Sequence, residues 1–193
     1  MRQIILASTS PRRKGLLQQI GLKFKVVPSN CKEDMTLNLP PEKLVMRLAQ
    51  EKAGDVVKRV KKGIVIGVDT FIVFKNQKIG KAKNKEEAKT NLQSFSGKTV
   101  DFYSGVCIID IEQNKTIVDF ELSKVKIKRM SDKDIDAYLA TNEYIGKAGG
   151  FAIQGRGAIF IEKVEGCYSN IVGLPLHNLY KNLKKLGVDV LNY

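Results

Sequence analysis

Residues Thr99 to Met130 constrain the fold more than any other stretch of this chain. They read as two long β runs, TVDFYSGVCIIDI and TIVDFELSKVKIKRM, joined by a short turn at EQNK, which is the pattern of an antiparallel hairpin. The pattern at both ends of the chain is different, because there short apolar strands alternate with helical periodicity. A sheet that must hold both kinds of strand is mixed. One α/β fold is therefore expected, with room for a crease into two lobes, and 193 residues suffice to bury its core.

The local signals fill in this outline. Ile4-Ile5-Leu6-Ala7 reads as a strand, Ser8-Thr9-Ser10 as capping hydroxyls and Pro11 as a first helical position. After Gly21, LKFKVV alternates as a half-buried strand, and PSNCKEDM is a polar loop carrying Glu33 and Asp34. A helix is expected from Pro40-Pro41 through EKLVMRLAQEKAGDVVKRV, stopped by Gly63. IVIG then fits a strand covered on both faces, with Asp69 and Thr70 at its end, followed by FIVF and a turn at KNQK. Asn84 with Glu87 and Ser131 mark two further helix starts. The glycine-rich loop GKAGGFAIQGRG leads into a strand AIFIEKV, EGCYSNIVGLP reads as a loop, and LPLHNLYKNLKKLG reads as a closing helix.

Composition removes several chemistries. Cys31, Cys107 and Cys167 are odd in number and widely spaced, which argues for reduced, partly buried thiols rather than disulfides or zinc. The single histidine, His177, leaves nothing for a histidine-ligated metal centre or a Ser-His-Asp triad. No apolar run approaches a membrane span, and MRQIILASTS is too soon broken for a signal peptide, so a cytoplasmic protein is expected. The net charge of +13 favours anionic partners, although the lysines of KRVKKG and KNLKKLG read as helix ends that complement the dipole.

Individual motifs are ambiguous. SFSGKT lacks the glycine that a phosphate-binding P-loop needs at Leu92, and it follows a helix rather than opening one, so it is a turn. The Ser8–Lys14 segment has the strand–turn–helix order of a phosphate site, with Arg12, Arg13 and Lys14 where each exposed cation would cost about 0.3–1 kcal/mol against the helix dipole. A basic surface helix explains it equally well. Asp69 suits a metal ligand or a base for water, although its spacing alone slightly favours a turn aspartate. Lys52 breaks an apolar helix face, for which a snorkelling lysine is the commoner explanation. Lys81 lies in a loop, and the glycines around Gln154 either admit a flat ligand or merely form turns.

Taken together, LASTSPRRKGLL, EKA, GVDT, SGKT, KAGGFAIQG and YSNIVGLP resemble, in order and spacing, the Maf family of nucleoside triphosphate pyrophosphatases, over Ile4 to Leu176. The resemblance implies a single domain over residues 1–193 with the fold of the inosine triphosphate pyrophosphatases: a mixed, strongly twisted central sheet with flanking helices and two lobes around a cleft. It implies cleavage of a triphosphate to monophosphate and pyrophosphate with Mg²⁺ or Mn²⁺. By the same resemblance Asp69 is the general base, Ser8, Arg13, Lys52 and Lys81 bind phosphates, and Glu33 joins Asp69 at the metal. Arg12, Thr70 and Gln154 match the branch acting on dTTP and UTP, and a glutamine amide suits the N3–H and carbonyl of uracil or thymine. Ala82, Phe151 and Cys167 depart from the usual family residues.

Two other classes compete with this reading. The charge alone permits a nucleic-acid-binding protein, but no basic stretch is interleaved with aromatics, which argues against a nucleic-acid partner. The family's link to septum inhibition also suggests a role in cell-division arrest beside nucleotide-pool cleansing. A hydrolysis-dead Asp69 variant separates the two. The expected partner is the triphosphate itself, without a membrane, and a homodimer is compatible with the resemblance.

Overall fold

A computed structural model of the chain describes residues 2–193. It is a mixed α/β structure whose open, seven-stranded sheet runs β2-β1-β3-β5-β6-β7, with β4 paired to β3. In chain order the elements are β1 (Ile4–Leu6), α1 (Pro11–Gln19), β2 (Phe24–Val26), α2 (Pro41–Val57), β3 (Ile64–Phe74), β4 (Gln77–Ile79), α3 (Lys85–Phe95), β5 (Thr99–Asp110) and β6 (Lys115–Ile127). They continue with α4 (Asp132–Ala140), a 3-10 turn at Gly155–Phe160, β7 (Ile161–Glu165), α5 (Tyr168–Val172), α6 (Leu176–Lys185) and a last 3-10 turn at Val190–Asn192. The chain forms two compact units. One comprises residues through Asp69 with Ser104–Glu121 and Gly173–Tyr193, and the other comprises Thr70–Tyr103 with Leu122–Val172.

In the first unit β1 lies between β2 and β3 and is parallel to both, with Ile5 opposite Lys25 and Val65. Parallel neighbours need crossovers, and α1 and α2 supply them. All three residues of β1 are buried, as a strand covered on both faces requires. Ile5, Ala7 and Val65 of the sheet side, Ala49, Ala53 and Val56 of α2, and Cys107 of β5 form one apolar cluster. Burial there pushes the Cys107 thiol up to about 12. An alkylating reagent near pH 8 is therefore expected to label the half-buried Cys31 and Cys167 and to leave Cys107 intact until the protein unfolds, a contrast that peptide mass mapping reads directly.

In the second unit β3 turns into β4 at Lys75 and Asn76, whose positive φ values of 49° and 62° set Phe74 opposite Gln77. The Asn84 side chain accepts the Glu87 N–H at 2.8 Å, and Ser131 and Asp134 form a reciprocal capping box, as their spacing suggests. β7 pairs antiparallel with β6.

Several local expectations are corrected. Helix α2 ends at Val57, and the next turn tightens through Arg59 N–H to the Val56 carbonyl, so KRVKKG follows the helix instead of ending it. Ser10 is the N-cap of α1 but makes no side-chain cap bond; the hydroxyl in use is that of Ser8, which accepts the Ser10 N–H at 3.3 Å. AIFIEKV is a strand only from Ile161, because Gly157 turns tightly enough that a Cβ there would lie 2.1 Å from the Ala152 carbonyl oxygen. The loop EGCYSNIVGLP contains helix α5. Tertiary bonds fix it: Asn170 Nδ2 donates to the Phe102 carbonyl at 3.1 Å and to Ser123 Oγ at 2.9 Å. No helix among the described residues is long and apolar enough to cross a membrane.

Candidate active site

Asp69 lies mid-strand in β3, not at a strand end, because β3 continues through FIVF to pair with β4. Its side chain is buried, at 4% exposure. What reaches it is decided by two glycines. A Cβ on Gly67 of β3 would stand 2.3 Å from the Ala49 carbonyl oxygen, and one on Gly105 of β5 would stand 2.1 Å from that of Val45. Without those atoms the backbone of α2 rests directly on the sheet, and Lys52 of α2 is carried to Asp69.

Lys52 is 7% exposed, so it is no snorkelling lysine. Its ammonium donates to Asp69 Oδ1 and stands 2.7 Å from Glu33 Oε1. One buried cation thus joins two carboxylates, an arrangement in which removing either kind of partner leaves charge uncompensated. Glu33 belongs to the loop before α2, and that loop is tied to the helix end. The Asn30 N–H donates to Asp55 Oδ2 at 2.9 Å, while Arg59 reaches both Asp55 Oδ2 at 2.6 Å and the Pro28 carbonyl at 2.5 Å. The Asn30 bond, then Arg59, holds the Asp55 carboxyl below its usual range. Sequence reasoning missed Asp55, Arg59, Gly67 and Gly105 as supports; the helical i,i+4 spacing of Asp55 and Arg59 was the only local hint.

Arg13, one of the cations at the start of α1, belongs to the same cluster. Arg13 Nε donates to the Gly173 carbonyl at 2.9 Å and Nη1 to Ser8 Oγ at 3.1 Å. Burial lowers the Arg13 pKa, and the nearby charges of Asp69 and then Glu33 act in the opposite sense. Ser8, Arg13, Glu33, Lys52 and Asp69 are therefore one electrostatic group within the first unit, and the protein's own carboxylates offset part of the dipole penalty. Arg12 lies half-buried beside Arg13 on α1.

Thr70, Lys81 and Gln154 belong to the second unit. Thr70 is half-buried on β3. Lys81 is exposed and forms a one-residue bridge with Ala148, next to a 2.7 Å bond from the Gly149 N–H to the Gly80 carbonyl. Gly149 and Gly150 take positive φ and press against Phe95 and Ala88 of α3, so these two glycines serve packing. Gln154 is exposed at the head of the 3-10 turn. His177 is exposed on α6, away from any such role.

Among the described residues no group of three or more histidine, cysteine or acidic side chains could hold a metal alone. The donor set nevertheless suits a hard divalent cation bound jointly with its substrate. Mg²⁺ characteristically takes one or two carboxylates and fills its remaining positions with phosphate oxygens and water, and Asp69 and Glu33 are two oxygen-donor carboxylates on one cation.

A family profile described as Maf-like protein matches residues 3–186. The chain is similar to proteins named dTTP/UTP pyrophosphatase from three organisms. It is 47% identical to that of Caldicellulosiruptor saccharolyticus, over 99% of this chain and 98% of that protein. It is 42% identical to that of Ruminiclostridium cellulolyticum, over 99% and 100% respectively. It is also 42% identical to that of Bacillus anthracis, over 98% of each.

Proposed function

Because the chain belongs to the Maf family, we propose that it is a nucleoside triphosphate pyrophosphatase that hydrolyses dTTP and UTP to the monophosphate and pyrophosphate. The observation that carries this reading is the cluster in which the Lys52 ammonium joins Glu33 and Asp69 beside Arg13 and Ser8. A triphosphate brings several negative charges, and such a site can meet them without histidine.

In this reading Arg13, Ser8, Lys52 and Lys81 bind phosphate oxygens, with the guanidinium offering paired donors and the ammoniums acting as point charges. Asp69 orients a water for in-line attack on phosphorus and takes its proton as the anhydride bond breaks and pyrophosphate departs. Asp69 and Glu33 would hold a divalent cation, Mg²⁺ or Mn²⁺, whose contribution when bound is to neutralise charge developing on the phosphates. The Lys52 ammonium keeps the two carboxylates together, and its transfer toward the triphosphate would release them for that role. Arg12, Thr70 and Gln154 select the base, with the Gln154 amide matched to the donor and acceptor edge of a pyrimidine. Residues 1–193 act as one domain in the cytoplasm, with the triphosphate as partner, no membrane or nucleic acid involved, and a homodimer compatible with the reading.

The test is a panel of triphosphates incubated with protein and Mg²⁺ or Mn²⁺, with the products identified. Pyrophosphate and monophosphate are expected, formed faster from UTP and dTTP than from GTP and ATP. Release of orthophosphate would refute the reaction, and equal rates across the panel would refute the pyrimidine preference.

A further inference from the structure

We infer that Glu143 is a positioning residue for Gln154: its carboxylate closes the head of the 3-10 turn Gly155–Phe160, so the Gln154 side chain is kept for the nucleotide base. The inference rests on the pyrimidine reading of Gln154 and names what supports it. A Ser, Thr, Asp or Asn at the head of a helical turn bends its own side chain back onto the next N–H groups. Gln154 occupies that place in extended backbone and makes no such bond. The bond is made instead by Glu143, whose Oε2 accepts the Arg156 N–H at 2.9 Å.

Gly155 is the residue that admits the carboxylate. Its φ is +69°, and a Cβ there would lie 2.6 Å from Glu143 Oε2. Glu143 is in turn fixed to the end of α4. Its N–H donates to Thr141 Oγ1 at 3.2 Å, and that hydroxyl donates to the Tyr138 carbonyl at 2.7 Å. At the other end of the turn the Tyr138 ring meets Phe160 edge-on, with centroids 5.7 Å apart. The segment that begins at Gln154 is thus held at one end by Glu143, in the turn after α4, and at the other by Tyr138 of α4. Loss of the Glu143 grip frees the head of the turn, and with it the backbone that places Gln154.

A selectivity measurement separates this role from simple support. In Glu143→Ala the UTP:GTP ratio of kcat/KM is expected to fall about tenfold, through a raised KM for UTP with kcat changed less than about threefold. Glu143→Gln retains an oxygen that accepts the Arg156 N–H, and is expected to keep the ratio within about threefold of the parent. Gly155→Ala drives a methyl group into the carboxylate and is expected to reproduce the Glu143→Ala ratio, so the test survives if one variant folds poorly. The inference is overturned if Glu143→Ala keeps the parent ratio while Gln154→Ala lowers it. If Gln154→Ala also leaves the ratio unchanged while pyrophosphate is still released, the inference and the pyrimidine role of Gln154 fall together.

Discussion

Replacing Asp69 by asparagine is expected to lower turnover at least about 100-fold, equivalent to about 2.7 kcal/mol in the barrier, while nucleotide binding persists. Asparagine preserves the shape of the side chain and an oxygen for the Lys52 ammonium, which now contacts Asp69 Oδ1 in a buried setting. What it removes is a negative charge and a proton acceptor. In the proposed site, binding is assigned to Arg13, Ser8, Lys52 and Lys81, and the cationic balance would become more favourable to a polyanion once one carboxylate is neutralised. KM should therefore hold or fall as kcat collapses. The check is a pyrophosphate-release assay beside a nucleotide titration, and near-normal turnover would remove Asp69 from the reaction.

A methyl group at Gly105 is expected to be nearly as damaging without touching any group that meets the substrate. The Cβ of Gly105→Ala would stand 2.1 Å from the Val45 carbonyl oxygen and 2.8 Å from the Met46 nitrogen, which are backbone atoms that cannot rotate aside. Helix α2 must lift, at a cost of about 1–3 kcal/mol or more. Because Lys52 rides on that helix, activity should fall further than the loss of folded protein explains. Gly54→Ala on the same helix is the control. Nothing lies within 4 Å of its Cβ position, so it should stabilise by about 0.5–1 kcal/mol. Urea midpoints measure both, and equal midpoints for the two variants would show that α2 does not depend on the close approach.

The features that could be read from sequence are those whose cause is local. Asn84 and Ser131 announce their helices because the capping partner sits three residues away. The Lys75-Asn76 turn is equally self-contained. The identities of Asp69, Lys52 and Arg13 came from ordered motifs, yet their burial and mutual contact did not. Those depend on Gly67 and Gly105, which look like ordinary strand residues until a helix backbone is laid over them. Helix α5 was hidden because its bonds go to Phe102 and Ser123, far away in the chain. Glu143 carries no local signal for the same reason, since no periodicity relates it to Arg156.

The first unit draws its final segment from Gly173–Tyr193, and Arg13 is bonded to the carbonyl that opens that segment. Arg13 and Gly173 are far apart in the chain, so their bond forms only when a long loop has closed. The Arg13 guanidinium thus depends on a distant stretch of the chain before its seat is complete. A chain cut short of Gly173 would leave the Arg13 Nε without that acceptor.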